Sequence, residues 1–182
     1  DTLAEGEEFV CTACRFRIPM TGFAEDVDNP MKERLEAMVT IRHAAALYYF
    51  VAESDWRRTI HDFKYRGLWS HARNLGVWFG HILKQSGNYD TIDLIVPVPL
   101  HIRKQLQRGY NQSDYIADGI ASVLGAKVDH HALIRKINNE SQTRHQRNER
   151  WENVEGIFEV RQPEQLSGRH ILLVDDVFTT GA

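Results

Sequence analysis

The sequence is poor in cysteine. Its 182 residues include only Cys11 and Cys14, too few for the disulfide framework that staples small secreted domains. Long apolar runs are also missing, and nothing approaches the roughly 20 residues needed to span a bilayer. Membrane insertion is therefore not expected. The first ten residues are acidic and polar, unlike a secretory signal, so a cytoplasmic location is expected. Neither sign of charge dominates: 22 Lys and Arg stand against 25 Asp and Glu, for a net charge of −3. That balance makes no global case for nucleic acid. Internal repeats and low-complexity stretches are absent as well. What remains is an ordinary globular composition, 42% apolar and 26% charged, at a length that suits one domain with a small appendage.

Residues 1–30 form the appendage. Acids surround Cys11-Thr12-Ala13-Cys14, and Pro19, Gly22, Asn29 and Pro30 punctuate the stretch after them. This predicts a small cysteine knuckle and an irregular linker. The main domain runs over residues 31–182. Ala44 to Val51 reads as a strand, with a helix as the competing assignment. Ser54 or Asp55 is placed to cap a helix through Trp56, Ile60 and Phe63, closed by Gly67. A second helix puts Leu75, Trp78, Phe79 and Ile82 on one stripe. Asp93 to Pro99 is an apolar strand that its prolines must end. A basic loop, Leu100 to Asn111, leads to a helix opened by Gln112 or Ser113 and stopped near Gly125. Lys127 to Ile134 reads as a strand, Asn138 to Thr143 as a polar loop, Gln142 to Asn153 as a charged helix and Gly156 to Val160 as a short strand. Strands alternating with helices predict an α/β fold with a mainly parallel sheet flanked by helices.

The last twelve residues are the most informative. Ile171-Leu172-Leu173-Val174 has the length and content of a buried parallel strand. Asp175 and Asp176 follow it, at the strand end where open α/β sheets bind ligands. Val177-Phe178 leads into Thr179-Thr180-Gly181-Ala182, which offers hydroxyls and close-approaching backbone N–H groups. Carboxylates accept from sugar hydroxyls, and such a turn suits a phosphate. The string resembles the phosphoribosyl pyrophosphate (PRPP) signature of type I phosphoribosyltransferases. A phosphate loop normally leans on the amino end of a following helix. None follows Ala182, so Thr179 to Ala182 are expected to be poorly anchored and the fold incomplete at this end.

Further blocks narrow the resemblance. Phe63-Lys64-Tyr65-Arg66-Gly67, Val96-Pro97-Val98-Pro99-Leu100, Arg108-Gly109-Tyr110-Asn111-Gln112-Ser113, Gln142-Thr143, and Arg150 with Asn153-Val154 precede the terminal motif in that order. Together they resemble the competence protein F (ComF) family of amidophosphoribosyltransferase-like DNA-uptake proteins, from about Cys11 to Ala182. The resemblance implies a type I phosphoribosyltransferase fold with Asp175 and Asp176 on ribose hydroxyls. Thr179, Thr180, Gly181 and Ala182 would begin the 5′-phosphate loop. Pro97 to Leu100 would match the pyrophosphate loop, where Val98 and residues from Leu100 onward must supply the N–H donors that proline lacks. Arg103, Arg108, Arg135 and Lys136 would supply cations. Mg²⁺ would accompany PRPP, since hard oxygen ligands suit it, and the chemistry would be displacement of pyrophosphate from ribose C1.

The resemblance also implies an N-terminal zinc segment with two Cys-x-x-Cys pairs. Cys11 and Cys14 are one pair, half of the four-ligand set structural zinc prefers. A redox pair and two plain thiols are the alternatives. His130 and His131 are not read as ligands, because neighbours on a strand face opposite ways. No glutaminase nucleophile is found. A second function of another class is a non-catalytic factor that handles single-stranded DNA alongside competence proteins. It would use the basic stretches and aromatics such as Tyr110 and Trp151.

Overall fold

The computed structural model describes residues 11–49, 69–136 and 157–179, except the side chains of Ala13, Cys14, Lys104 and Arg108. The helices expected around 54–67 and 142–153, and the loop from Thr180 onward, lie outside these residues.

The centre is a three-stranded parallel sheet. Strand β1 (Leu94–Pro97) is buried at every position, as an unbroken apolar run must be when both faces are covered. Strand β2 (Lys127–Val128) flanks it on one side and the terminal strand Ile171–Val174 on the other. Leu94 pairs with Ile171 and Pro97 with Val174. Pro97 has no N–H to give, and the ladder closes one residue later, where the Val98 N–H donates to the Val174 carbonyl at 2.8 Å.

The expected strand from Lys127 to Ile134 is two strands in two sheets. Between them the Asp129 carboxylate accepts from the N–H groups of His131 and Ala132 at 2.8 and 2.9 Å, which turns the chain. Strand β3 (Leu133–Arg135) then pairs antiparallel with β4 (Phe158–Val160) in a separate ribbon. The terminal strand is thus β5, and Leu173, on an edge strand of the parallel sheet, is 60% exposed.

Two short helices, α1 (Thr12–Arg17) and α2 (Pro30–Glu36), precede the main helices α3 (Trp69–Ser86), α4 (Ile102–Arg108) and α5 (Gln112–Leu124); α6 (Pro163–Leu166) leads to β5. The expected knuckle is therefore helical: Cys14 lies within α1, and the Cys11 carbonyl accepts the Arg15 N–H. Asn29 is no linker residue. It caps α2 through Oδ1, while its Nδ2 ties down three carbonyls of the preceding and following chain. Residues 44–49 form neither of the expected regular elements, only one isolated bridge between Met20 and Tyr48. The expected basic loop contains α4, built of good helix formers. His101 caps it by accepting the Arg103 N–H, and Gly109 closes it at φ 84°, a left-handed position natural for glycine.

Helices α3 and α5 pack backbone to backbone. A Cβ on Gly76 would lie 2.2 Å from the Ile116 carbonyl oxygen, and one on Gly119 2.2 Å from that of Arg73. The deeply buried stripe of α3 is accordingly Ala72, Gly76, Gly80 and Leu83. The stripe expected from Leu75, Trp78, Phe79 and Ile82 is displaced from it, because small residues carry little hydrophobic signal; Phe79 and Ile82 still pack on the core. Gly76 faces Ile116 and Gly80 faces Ile120, so the helices run in the same direction. The core between them and the sheet holds Leu83, Tyr89, Ile95, Ala117, Ile120 and Val174. No described helix is long and apolar enough to cross a membrane.

Candidate functional site at the carboxyl edge of the parallel sheet

Three elements converge where β1 and β5 finish. Asp175, the first residue after β5, is exposed, but its Oδ1 is held: it accepts from the Ser113 hydroxyl at 3.2 Å and from the Asp176 N–H at 2.8 Å. Ser113 belongs to the first turn of α5 and is only 2% exposed. Asn111, 4% exposed, donates from Nδ2 to the Val98 carbonyl at 3.0 Å and to Asp114 Oδ1 at 2.8 Å. The Asn-Gln-Ser stretch thus fastens the amino end of α5 to the ends of both strands, which is a physical reason for these small polar residues after Gly109-Tyr110.

Asp114 continues the network outward. His130 sits between Asp118 (Nε2 to Oδ1, 3.1 Å) and Asp114 (Nδ1 to Oδ1, 3.7 Å). Burial raises the Asp114 pKa, and its neighbours His130 and Asn111 offset this only in part. His130 and His131 lie in a turn and not on a strand as expected, and the two nitrogens of His130 face different aspartates. Among the described residues, no group of three or more His, Cys, Asp or Glu side chains is placed to hold a metal.

Tyr48 is a participant the sequence did not reveal. Its hydroxyl pKa is pushed up to about 12, first by burial and then by the negative charge of Asp176. The segment after α2 therefore reaches the second carboxylate. No motif marks this residue, because it comes from irregular chain remote in sequence.

The remaining expected site residues divide. Val98 is at the rim, but the sheet ladder already takes its N–H, so the donors of the loop must begin at Leu100. Arg103 is exposed on α4. The side chain of Arg108 lies outside the described residues. Arg135 is on β3, with its guanidinium 5.4 Å from the centre of the Phe158 ring, and Lys136 pairs with Glu159 at 2.5 Å. The second ribbon thus engages both cations. Thr179 is exposed after the carboxylates, while Thr180, Gly181 and Ala182 lie outside the described residues. Tyr110 is 8% exposed and meets Tyr115 edge-on at 5.7 Å, so its ring is not presented to a base as expected. Trp151 lies outside the described residues.

Fold and site together define an α/β protein with two successive carboxylates at the carboxyl edge of a parallel sheet, the edge at which open sheets of this kind commonly bind ligands. No protein-family profile and no solved structure matches the chain. Characterised relatives do. The chain is 26% identical to competence protein ComFC of Bacillus subtilis (strain 168) over 198 aligned positions, covering 99% of this chain and 76% of that protein. It is 37% identical to DNA utilization protein YhgH of Escherichia coli (strain K12) over 90 residues, half of this chain and 39% of that protein. It is 30% identical to competence protein F of Haemophilus influenzae over 91 residues, half of this chain and 40% of that protein. The last two matches therefore span well under two thirds of the relatives' own length. These similarities support the likeness to the competence protein F family.

Proposed function

We propose that this is a competence-type protein, acting in the handling of DNA as its relatives' names indicate, that binds a ribose phosphate such as PRPP at the carboxyl edge of its sheet. The observation that carries the reading is the fixed carboxylate of Asp175. One oxygen is oriented by Ser113 and the Asp176 amide, in an exposed position directly after a parallel strand. A carboxylate so placed accepts from vicinal hydroxyls without first having to be ordered. Asp176 supplies the second acceptor, and the Thr179-Thr180-Gly181-Ala182 turn supplies phosphate donors. Leu100 begins the donors facing the pyrophosphate, and Arg103 and Arg108 are the cations of that side; Arg135 serves the second ribbon instead.

Mg²⁺ fits this donor set only in part. Asp175 and Asp176 are hard oxygen ligands of the right kind, but two carboxylates make no dedicated cage, so the ion would enter with the pyrophosphate and screen its charge. Zinc at Cys11 and Cys14 would need two further ligands. Calorimetry with PRPP and Mg²⁺ tests the reading. Saturable binding is expected, and no detectable heat or competition at millimolar PRPP would refute it.

A further inference from the structure

The turn that follows β1 is steadied from the side by a chain of polar groups. Val98 stands between Pro97 and Pro99, neither of which has an N–H to give. Its own N–H goes to the Val174 carbonyl at 2.8 Å, and its carbonyl accepts from Asn111 Nδ2 at 3.0 Å. Asp114 Oδ1 accepts from the same nitrogen at 2.8 Å. Asp114 leads on to His130, and His130 to Asp118. A polar relay thus runs from the turn after β2 to the turn after β1. At its origin the Asp129 N–H donates to the Ile95 carbonyl at 3.0 Å, which fixes the backbone beside His130.

One joint of this relay depends on charge. His130 Nε2 is 3.1 Å from Asp118, but Nδ1 is 3.7 Å from Asp114, too long for a hydrogen bond. Asp114 and Asp118 stand four residues apart on one face of α5, where like charges repel. Burial further disfavours the charge on Asp114. An imidazolium between the two carboxylates offsets both effects. A neutral imidazole has a single N–H. Kept on Asp118, it leaves a lone pair facing Asp114, and the pull on Asp114 is gone. Among the described residues, these two carboxylates are the charged groups paired with His130. Asp129, on its own turn, is taken up by the His131 and Ala132 N–H groups.

We propose that His130 is a positioning residue for the ligand site: as imidazolium it holds Asp114 and Asn111 in place and so fixes Val98 and the donors that begin at Leu100, and its deprotonation loosens them. The inference rests on the ribose-phosphate reading for its ligand, and on the relay alone for its mechanism. Histidine is the side chain whose charge ordinarily changes between about pH 5 and 8. Affinity on the pyrophosphate side therefore falls as pH rises through that interval.

Calorimetry with PRPP and Mg²⁺ on the full chain, at about pH 6 and about pH 8.5, tests this. Comparing proteins at one pH cancels the ligand's own ionisation. Wild type should bind about threefold tighter than His130→Gln at the lower pH and equally at the higher. His130→Arg, whose charge is never lost, should keep its advantage over His130→Gln at both. A ratio of wild type to His130→Gln that is the same at both pH values, or a His130→Arg protein that follows His130→Gln, would overturn the proposal. Failure of wild type to bind PRPP at either pH would refute the ribose-phosphate reading instead. Hydrogen exchange at the Val98 amide then decides the relay. Protection about threefold higher in wild type than in His130→Gln at the lower pH, and equal at the higher, supports it; equal protection at both overturns it.

Discussion

The most exacting prediction concerns Gly119. It lies in mid-α5, where alanine is ordinarily favoured over glycine by about 1 kcal/mol. Here the new methyl would sit 2.2 Å from the Arg73 carbonyl oxygen, 2.7 Å from the Val77 nitrogen and 2.8 Å from the Gly76 carbonyl carbon. All three obstacles are backbone of α3, so no side chain can turn aside. Restoring ordinary contact requires the helices to part by about 1 Å, which loosens Ile116, Ile120, Ala72 and Leu83 together. Overpacking costs about 1–3 kcal/mol, and more where backbone must shift. Net of the propensity gain, Gly119→Ala should lose about 2 kcal/mol. For a chain of this size that is a fall of about 5 °C in Tm. Urea denaturation measures it directly, with Gly125→Ala as the reference. Gly125 stands at φ 76°, and nothing lies within 4 Å of the place its methyl would take, so its cost is only the strain of a left-handed alanine, about 1 kcal/mol. A Gly119→Ala midpoint at or above wild type would refute the backbone contact between α3 and α5. Because α5 presents Asn111 and Ser113, the same variant should weaken any ligand that uses Asp175.

Other perturbations concern single side chains. Asn29→Ala removes a 1% exposed side chain that accepts from two N–H groups of α2 and donates to the Phe23, Asp26 and Ala44 carbonyls. A loss of about 2–4 kcal/mol is expected, and a loss under about 1 kcal/mol in a urea melt would contradict the network. Asp114 has a raised folded pKa, so its contribution favours the fold below the ordinary carboxylate pKa and is lost as pH rises through the folded value. Asp114→Asn should therefore be at least as stable as wild type at pH 7, with any advantage vanishing near pH 4; a destabilised variant at pH 7 would show that the His130 pairing outweighs burial. Tyr48 and Tyr89 are both pushed up to about 12, Tyr89 by burial alone. Their stabilisation is complete below pH 10 and is lost between about 10 and 12. Tyr89→Phe should flatten that alkaline decline, worth up to about 3 kcal/mol by linkage, while an unchanged slope would place the tyrosine in water.

The sheet was legible because its signals are local. Leu94 to Pro97 and Ile171 to Val174 are unbroken apolar runs, and the prolines after Val96 end the first of them where expected. Gly125 likewise stops α5 as a left-handed cap. Elements that rest on distant or unobtrusive contacts were hidden. Gly76 and Gly119 look like weak points in helices until the two backbones are seen to touch. The charges of α4 suggested a loop, although its residues are good helix formers. Asp129 splits an apparently continuous strand through two side-chain bonds that no periodicity shows. At the site, the carboxylates and the Asn-Gln-Ser stretch were visible as motifs. Their mutual contact was not, because Ser113 and Asp175 are far apart in sequence. The place of Arg135 beside Phe158, in a ribbon apart from the parallel sheet, was likewise hidden.

Asp175 and Asp176 are proposed to form a ribose-phosphate site at the carboxyl edge of the sheet. The most direct measurement is PRPP titration calorimetry, with Mg²⁺, on wild type and on the Asp175→Asn, Asp176→Asn double variant. Both side chains are at least partly exposed, so the variant should fold with an unchanged urea midpoint. Saturable binding by wild type and at least a tenfold loss in the variant are the predicted results. Equal PRPP affinity in the two proteins, or none in either, would contradict the claim.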